Sequence, residues 1–221
     1  MISIELKKRI ITSIALLTCL TLMYFYFFIL IIFLILISLI SWIEFNGLIL
    51  KIFKKRNLKE KLYKFILKSI SLLYLSLFCF IIIIVRSENL ESEVFIIYSL
   101  FVSINSDIGG LLFGKFFKGR KLTKISPNKT ISGSIGSFIF SFALIPFFHH
   151  YFDIISILSL IIITILISLT SQLGDLFFSF LKRKANVKNT SDLLPGHGGF
   201  IDRIDGILFA VPIGFLLFRI I

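Results

Sequence analysis

The sequence predicts an all-α, polytopic transmembrane fold of about seven spans, with the N-terminus in the cytoplasm. Three observations carry that prediction. Hydrophobic residues make up 57% of the 221, with 27 Phe, and the mean hydropathy is +1.00, well above a soluble globular chain. Apolar runs recur at roughly the 20-residue length that a helix needs to cross a bilayer. The cations fall almost entirely into alternate segments between those runs.

The elements follow in order. Ile10 to Phe45 is one apolar run, long enough for two closely connected helices. It is too long for a signal peptide and lacks a small-residue cleavage site. The further spans are roughly Tyr63–Val85, Val94–Leu112, Gly133–Phe148, Ile154–Phe180 and Ile204–Ile221. Between them no segment is long enough to bury a core of its own. The chain 1–221 therefore reads as a single integral-membrane domain. Residues 1–100 are mainly spans with a basic cytoplasmic loop at 51–68, and residues 101–210 carry the chemistry. The Lys51–Lys68 stretch reads as a solvated basic loop or as an interfacial helix running into the third span. It would also attract anionic lipid headgroups. Trp42 reads as an interfacial anchor and Glu44 as a headgroup-level residue, the alternative for Glu44 being a polar cavity.

Charge sets the topology. Lys7, Lys8 and Arg9 precede the first span, eight cations lie in Lys51–Lys68, six in Lys115–Lys129 and five in Lys182–Arg203, leaving Arg86 and Arg219. Cationic and non-cationic segments alternate strictly for seven spans, which puts the C-terminus outside. A nucleic-acid partner is excluded, because its basic face would need stacking aromatics, and here the aromatics lie in apolar runs. Cys19 and Cys79 fall inside spans without paired spacing, so neither a disulfide nor a zinc site is expected. His149 and His150 fall on an external loop and read as interfacial.

Four constellations can carry chemistry. In Ser106-Asp107-Ile-Gly109-Gly110-Leu-Leu-Phe-Gly114-Lys115, Asp107 interrupts a span, and a carboxylate at membrane depth usually faces a polar interior. Gly110 and Gly114 have helix packing as their plain explanation. In Ser126-Pro127-Asn128-Lys129-Thr130, Ser126 is placed to N-cap a helix with Pro127 at its first position. The free N–H groups and Lys129 would then suit an anion. In Ser171-Gln172-Leu-Gly174-Asp175, continuing to Ser179, Lys182 and Arg183, helical spacing puts Asp175 roughly on the face of both serines and Lys182. Finally Lys188-Asn189 precedes Pro195-Gly-His197-Gly198-Gly199, followed by Asp202-Arg203-Ile-Asp205. Cations bind phosphate oxygens, glycines let backbone approach closely, and carboxylates hold a divalent metal. The mixture points to phosphate chemistry at a bilayer surface, with an ordinary loop histidine as the plain reading of His197.

In order and spacing, these stretches closely resemble the phosphatidate cytidylyltransferases, also called CDP-diacylglycerol synthases. That family carries Ser-Pro-x-Lys-Thr before a glycine-containing helix, matched by Ser126, Pro127, Lys129 and Thr130. It carries Gly-Asp-Leu, a Ser four residues after the Asp, and Lys-Arg, matched by Gly174, Asp175, Leu176, Ser179, Lys182 and Arg183. Pro-Gly-His-Gly-Gly is matched at 195–199. The specific motifs cover about residues 100–210. Three positions depart: Ser132 and Phe178 stand where the family commonly has Glu, and Asn189 stands where it has Asp. Asn189 accepts hydrogen bonds but brings no charge, and Asp192 follows three residues later.

The resemblance implies transfer of a cytidylyl group from CTP to phosphatidate, giving CDP-diacylglycerol and diphosphate, with Mg²⁺, in phospholipid biosynthesis. It implies a site on the cytoplasmic side of a bacterial inner membrane. Asp175 and Asp202, with Asp205 as a third, would be metal carboxylates. Lys129, Lys182, Arg183, Lys188 and Arg203 would hold nucleotide and lipid phosphates, and Ser126, His197, Gly198, Gly199 and Asp107 would line the substrate pocket. Homo-oligomerisation stays open. The alternatives are a CTP-dependent polyprenol kinase, which needs a base to activate a hydroxyl, and a transporter or scaffold. A transporter would show interrupted spans in two related halves, whereas polar residues here are concentrated in the second half.

Overall fold

A computed structural model describes residues 4–55, 57–88, 90–152, 155–194 and 198–220. Among these residues the elements are α1 (Ile4–Phe25), α2 (Phe27–Ile52), α3 (Leu58–Ser87), α4 (Leu90–Phe117), α5 (Ile131–Phe142), the short α6 (Ile145–Phe148), a 3₁₀ turn at His149–Tyr151, α7 (Ile157–Lys184) and α8 (Ile201–Ile220). The all-helical expectation holds. The Ile10–Phe45 run divides at Tyr26, the one non-helical residue between α1 and α2. Five stretches are long and apolar enough to cross a membrane: Phe27–Ile52, Leu58–Ser87, Ser92–Phe117, Ile131–Tyr151 and Ile157–Lys184. Phe28, Leu73 and Leu158 on these helices are more than two-thirds exposed, as side chains against lipid are. The protein is thus an integral membrane protein.

Two elements differ from expectation. Lys51–Lys68 is not one interfacial helix. Lys51 lies in the last turn of α2, residues 53–55 and 57 are non-helical, and Lys59 to Lys68 lie in the first turns of α3. Nor does Ser126 cap a helix. Residues 126–129 form a turn closed by Lys129 N–H on Ser126 O (3.1 Å), and α5 begins only at Ile131. The reason is non-local. Leu122 N–H bonds Lys129 O (2.8 Å) and Ile131 N–H bonds Arg120 O (2.9 Å), which commits this backbone to an antiparallel bridge. Thr130 takes the cap instead, its Oγ1 accepting from Gly133 N–H at 3.0 Å.

The chain divides into two compact units. The first comprises residues up to Cys79 with Leu181–Arg203. Its core includes Leu30, Leu34, Leu48 and Ile49 of α2 with Leu75 and Phe78 of α3. Trp42 Nε1 donates to Lys68 O at 3.2 Å, tying α2 to α3.

The second unit comprises Phe80–Phe180 with Ile204–Ile221. Tyr98 and Val102 of α4, Ile163 and Ile167 of α7 and Ala210 and Phe218 of α8 are buried in one cluster with Phe152. Phe95 stacks on Phe218, ring centroids 4.0 Å apart. Beside this apolar cluster runs a polar seam. Ser103 and Ser171 hydroxyls lie 2.8 Å apart, Ser106 and Ser168 3.0 Å, and Ser137 Oγ donates to Ser106 O at 2.7 Å. Between membrane helices such bonds contribute about 1 kcal/mol each. The α4–α5 contact is closer still. A Cβ on Gly109 would stand 2.4 Å from Gly136 O, and one on Gly136 would stand 2.8 Å from Gly109 O, so both positions exclude any side chain. The glycines of α4 are packing residues here.

Candidate functional site

Each unit holds a cluster of charged and polar side chains among the described residues. In the second unit a cavity of about 360 Å³ is lined by Asp107, Ser126, Lys129, Thr130, Gln172 and Asp175 among others. Asp107 projects from α4, Asp175 and Gln172 from α7, Ser134 from α5, and the bridged 120–131 segment supplies Ser126, Lys129 and Thr130. Lys129 Nζ forms an ion pair with Asp175 Oδ2, each side chain about a quarter exposed. Ser179 Oγ donates to Asp175 Oδ1 at 3.3 Å, and Ser134 Oγ donates to Gln172 Oε1 at 2.6 Å. The structure therefore brings together Asp107, Ser126, Lys129 and Asp175, which lie up to 68 positions apart in sequence. The partner of Asp175 is Lys129, not the Lys182 that helical spacing suggested.

In the first unit Lys182 Nζ lies 2.6 Å from Asp202 Oδ1. Asp202 Oδ2 accepts from Thr190 N–H (2.9 Å), Thr190 Oγ1 (3.1 Å) and Gly199 N–H (3.1 Å). Arg183, Lys188 and Arg203 are exposed. Gly198 has φ +87° and lies against the Asn189 side chain, a backbone conformation that favours glycine. Gly199 is buried, and a Cβ there would stand 1.7 Å from Thr190 Oγ1 and 2.9 Å from Glu44 Oε2. His197 lies outside the described residues. Asp205, in the second unit, is buried and accepts from Gly206 N–H at 2.9 Å.

Glu44, read from the sequence as a headgroup-level residue or as facing a polar cavity, has partners that the sequence did not name. It is 6% exposed. Its Oε1 accepts from Ser191 Oγ (2.5 Å) and Phe200 N–H (2.8 Å), and its Oε2 from Thr190 Oγ1 (2.8 Å) and Ile201 N–H (2.9 Å). The signal was a lone carboxylate in an apolar helix, whose cost demands internal partners. Thr190 and Ser191 gave no signal of their own. Two of the family departures have structural duties. Ser132 Oγ accepts from Gly119 N–H at 3.2 Å, and Phe178 is buried with its ring edge-on to Phe209.

The donor chemistry of the second-unit cavity fits Mg²⁺. That ion takes oxygen ligands and is usually held by one or two carboxylates plus substrate phosphates. Asp107 and Asp175 are two carboxylates on one cavity, among hydroxyl and amide oxygens. Asp202 has three donors on Oδ2, so a metal contact from it would use Oδ1 and compete with Lys182.

The chain is similar to known proteins. A protein named phosphatidate cytidylyltransferase from Bacillus subtilis (strain 168) is 37% identical over 135 residues, which is 60% of this chain and 50% of that protein. Proteins of the same name from Staphylococcus aureus (strain COL) and Staphylococcus haemolyticus (strain JCSC1435) are 41% and 40% identical over 131 residues, 58% of this chain and 49% of theirs. The chain spans about half the length of the curated relatives it matches. The cytidylyltransferase family profile matches residues 3–221, nearly the whole sequence. With that match added to the clustered lysines and carboxylates, the chain belongs to the cytidylyltransferase family.

Proposed function

We infer that this chain is a phosphatidate cytidylyltransferase, converting CTP and phosphatidate to CDP-diacylglycerol and diphosphate. The observation that carries the reading is the Lys129–Asp175 ion pair inside a polar cavity that also holds Asp107, in a chain of the cytidylyltransferase family. The relatives that bear the name support it.

The attacking group in this reaction is the phosphatidate phosphate, and the atom attacked is the α-phosphorus of CTP. The second pKa of a phosphate monoester is about 6, so the nucleophile is largely ionised near neutral pH and needs little general-base help. What the protein must supply is positioning and charge neutralisation. Lys129 does this from the cavity wall, and Thr130 and Ser126 offer hydroxyls beside it. Gln172, held by Ser134, presents its amide to the same space. Lys182, kept in place by Asp202, is assigned to phosphate binding, as are the exposed Arg183, Lys188 and Arg203. Gly198, Gly199 and His197 are assigned to the loop that meets the nucleotide. Asp175 with Asp107 would hold Mg²⁺, and Asp202 and Asp205 keep the metal role that the resemblance implies. Bound there, the ion would neutralise charge on the triphosphate.

The placement proposed is a bacterial inner membrane with seven spans, an internal N-terminus and the site on the cytoplasmic side. The alternation of cationic segments supports it. Incubating the purified protein with phosphatidate, Mg²⁺ and CTP labelled at the α-phosphorus tests the activity. Label should enter the lipid as diphosphate leaves. Label retained in released CDP, with only the terminal phosphate transferred, would replace this reading by a kinase.

A further inference from the structure

Glu44 carries an inference beyond the site already described. It comes from α2, far in sequence from the motifs, yet both its oxygens are spent on the segment that leads into α8. An ionised carboxylate has about four lone-pair sites, and four donors occupy them at 2.5 to 2.9 Å. Two of those donors are Phe200 N–H and Ile201 N–H, among the opening amides of α8 that have no partner inside the helix. Glu44 therefore caps α8 from another helix, and its charge complements the positive end of the helix dipole.

The other two donors tie Glu44 to the chemistry. Thr190 Oγ1 lies 2.8 Å from Glu44 Oε2 and 3.1 Å from Asp202 Oδ2, one hydroxyl between two carboxylates. Asp202 in turn holds Lys182. Gly199 makes room for this arrangement, since a side chain there would collide with Thr190 Oγ1 and press on Glu44. With its lone pairs occupied, Glu44 has none left for a substrate or metal. We propose that Glu44 is a positioning residue, which orders the segment at Thr190–Ser191 and Phe200–Ile201 so that Asp202 and Lys182 are held in their working orientation. The role in turnover rests on the cytidylyltransferase reading, and the ordering of the segment does not.

The test uses the intact protein in phosphatidate-containing vesicles, with Glu44→Gln and Glu44→Asp. Glutamine puts an NH₂ where a carboxylate oxygen now meets two donors, and aspartate keeps the charge one methylene short. Hydrogen exchange should rise at least tenfold over 190–201 in Glu44→Gln and less in Glu44→Asp, with α7 unchanged. In steady-state assays kcat should fall at least tenfold in Glu44→Gln while KM for CTP stays within about threefold, the signature of lost orientation rather than lost binding. Unchanged exchange over 190–201 would overturn the proposal. So would raised exchange with kcat intact, which would make the contact an anchor and nothing more. If Glu44→Gln does not accumulate as folded protein, Thr190→Val removes only the bridging hydroxyl and is read the same way. A wild type without cytidylyl transfer would sink the activity reading alone, and the exchange measurement would still decide whether Glu44 orders the segment.

Discussion

Lys182 Nζ stands 2.6 Å from Asp202 Oδ1, with the two side chains only 14% and 9% exposed. Breaking one side of a buried pair leaves an uncompensated charge and costs about 3–5 kcal/mol. Asp202→Asn should therefore lower the thermal midpoint as well as abolish turnover. Thermal unfolding and CTP turnover, measured on the same preparation, check this. A variant with unchanged melting and unchanged rate would remove Asp202 from both roles.

Lys129 and Asp175 make a more exposed pair, so their effect should be on rate rather than folding. Lys129→Met should reduce kcat/KM about 100-fold, in the range for removing one preorganised charge-stabilising donor. Lys129→Arg should retain part of the rate. Asp175→Asn should abolish the Mg²⁺ response at an unchanged melting temperature. Full activity in Lys129→Met would move the phosphate site elsewhere.

Accessibility tags should sort into two sides. Tags at Asn57, Lys121 and Asn186 belong on the cytoplasmic side, and tags at Glu88 and His150 on the other. Protease or thiol-reagent access in oriented vesicles reads the result. If the first three did not share a side, the seven-span arrangement would fail.

Asn189 is exposed and packs beside Gly198. If it acts by hydrogen bonding while Asp192 supplies charge, Asn189→Asp should keep the wild-type rate within about threefold. Asp192→Asn should then impair Mg²⁺-dependent turnover, and each ~1.36 kcal/mol of lost transition-state stabilisation lowers the rate tenfold. A nearly inactive wild type rescued by Asn189→Asp would instead mark a decayed position.

Glu88 lies between α3 and α4 and is bound by Arg219. That hydrogen bond holds its carboxyl below the ordinary value of 4.5, with the Ser92 hydroxyl and the Arg219 charge adding to the effect against partial desolvation. A lowered folded-state pKa stabilises above the unfolded value and is lost as pH falls through the folded value. The melting-temperature gap between wild type and Glu88→Gln should thus be present at pH 6 and close as the pH falls below the ordinary carboxylate range. A gap that widened with acid would reverse the assignment.

The helices were legible because apolar runs near 20 residues admit little else, and even the break at Tyr26 was implied by one run too long for a single span. Lys129 and Asp175 were legible as candidate residues through their motifs, but not as partners, since their pairing is made by the bridged 120–131 segment. That same bridge, invisible to local propensity, is why Ser126 failed as a helix cap. The setting of Glu44 was illegible for a related reason. Its hydrogen-bond partners lie 146 to 157 positions away, and nothing in the neighbourhood of Trp42 announces them.

The Gly109–Gly136 approach has a consequence for motion. With backbone against backbone, α4 and α5 cannot slide past one another without first separating. Two walls of the cavity, carrying Asp107 and Ser134, are thereby fixed. The 118–130 segment, with exposed lysines at 118, 121 and 124, and α7, carrying Gln172 and Asp175, form the other walls. A ligand in that cavity would therefore meet Asp107 and Ser134 at a separation set by backbone packing.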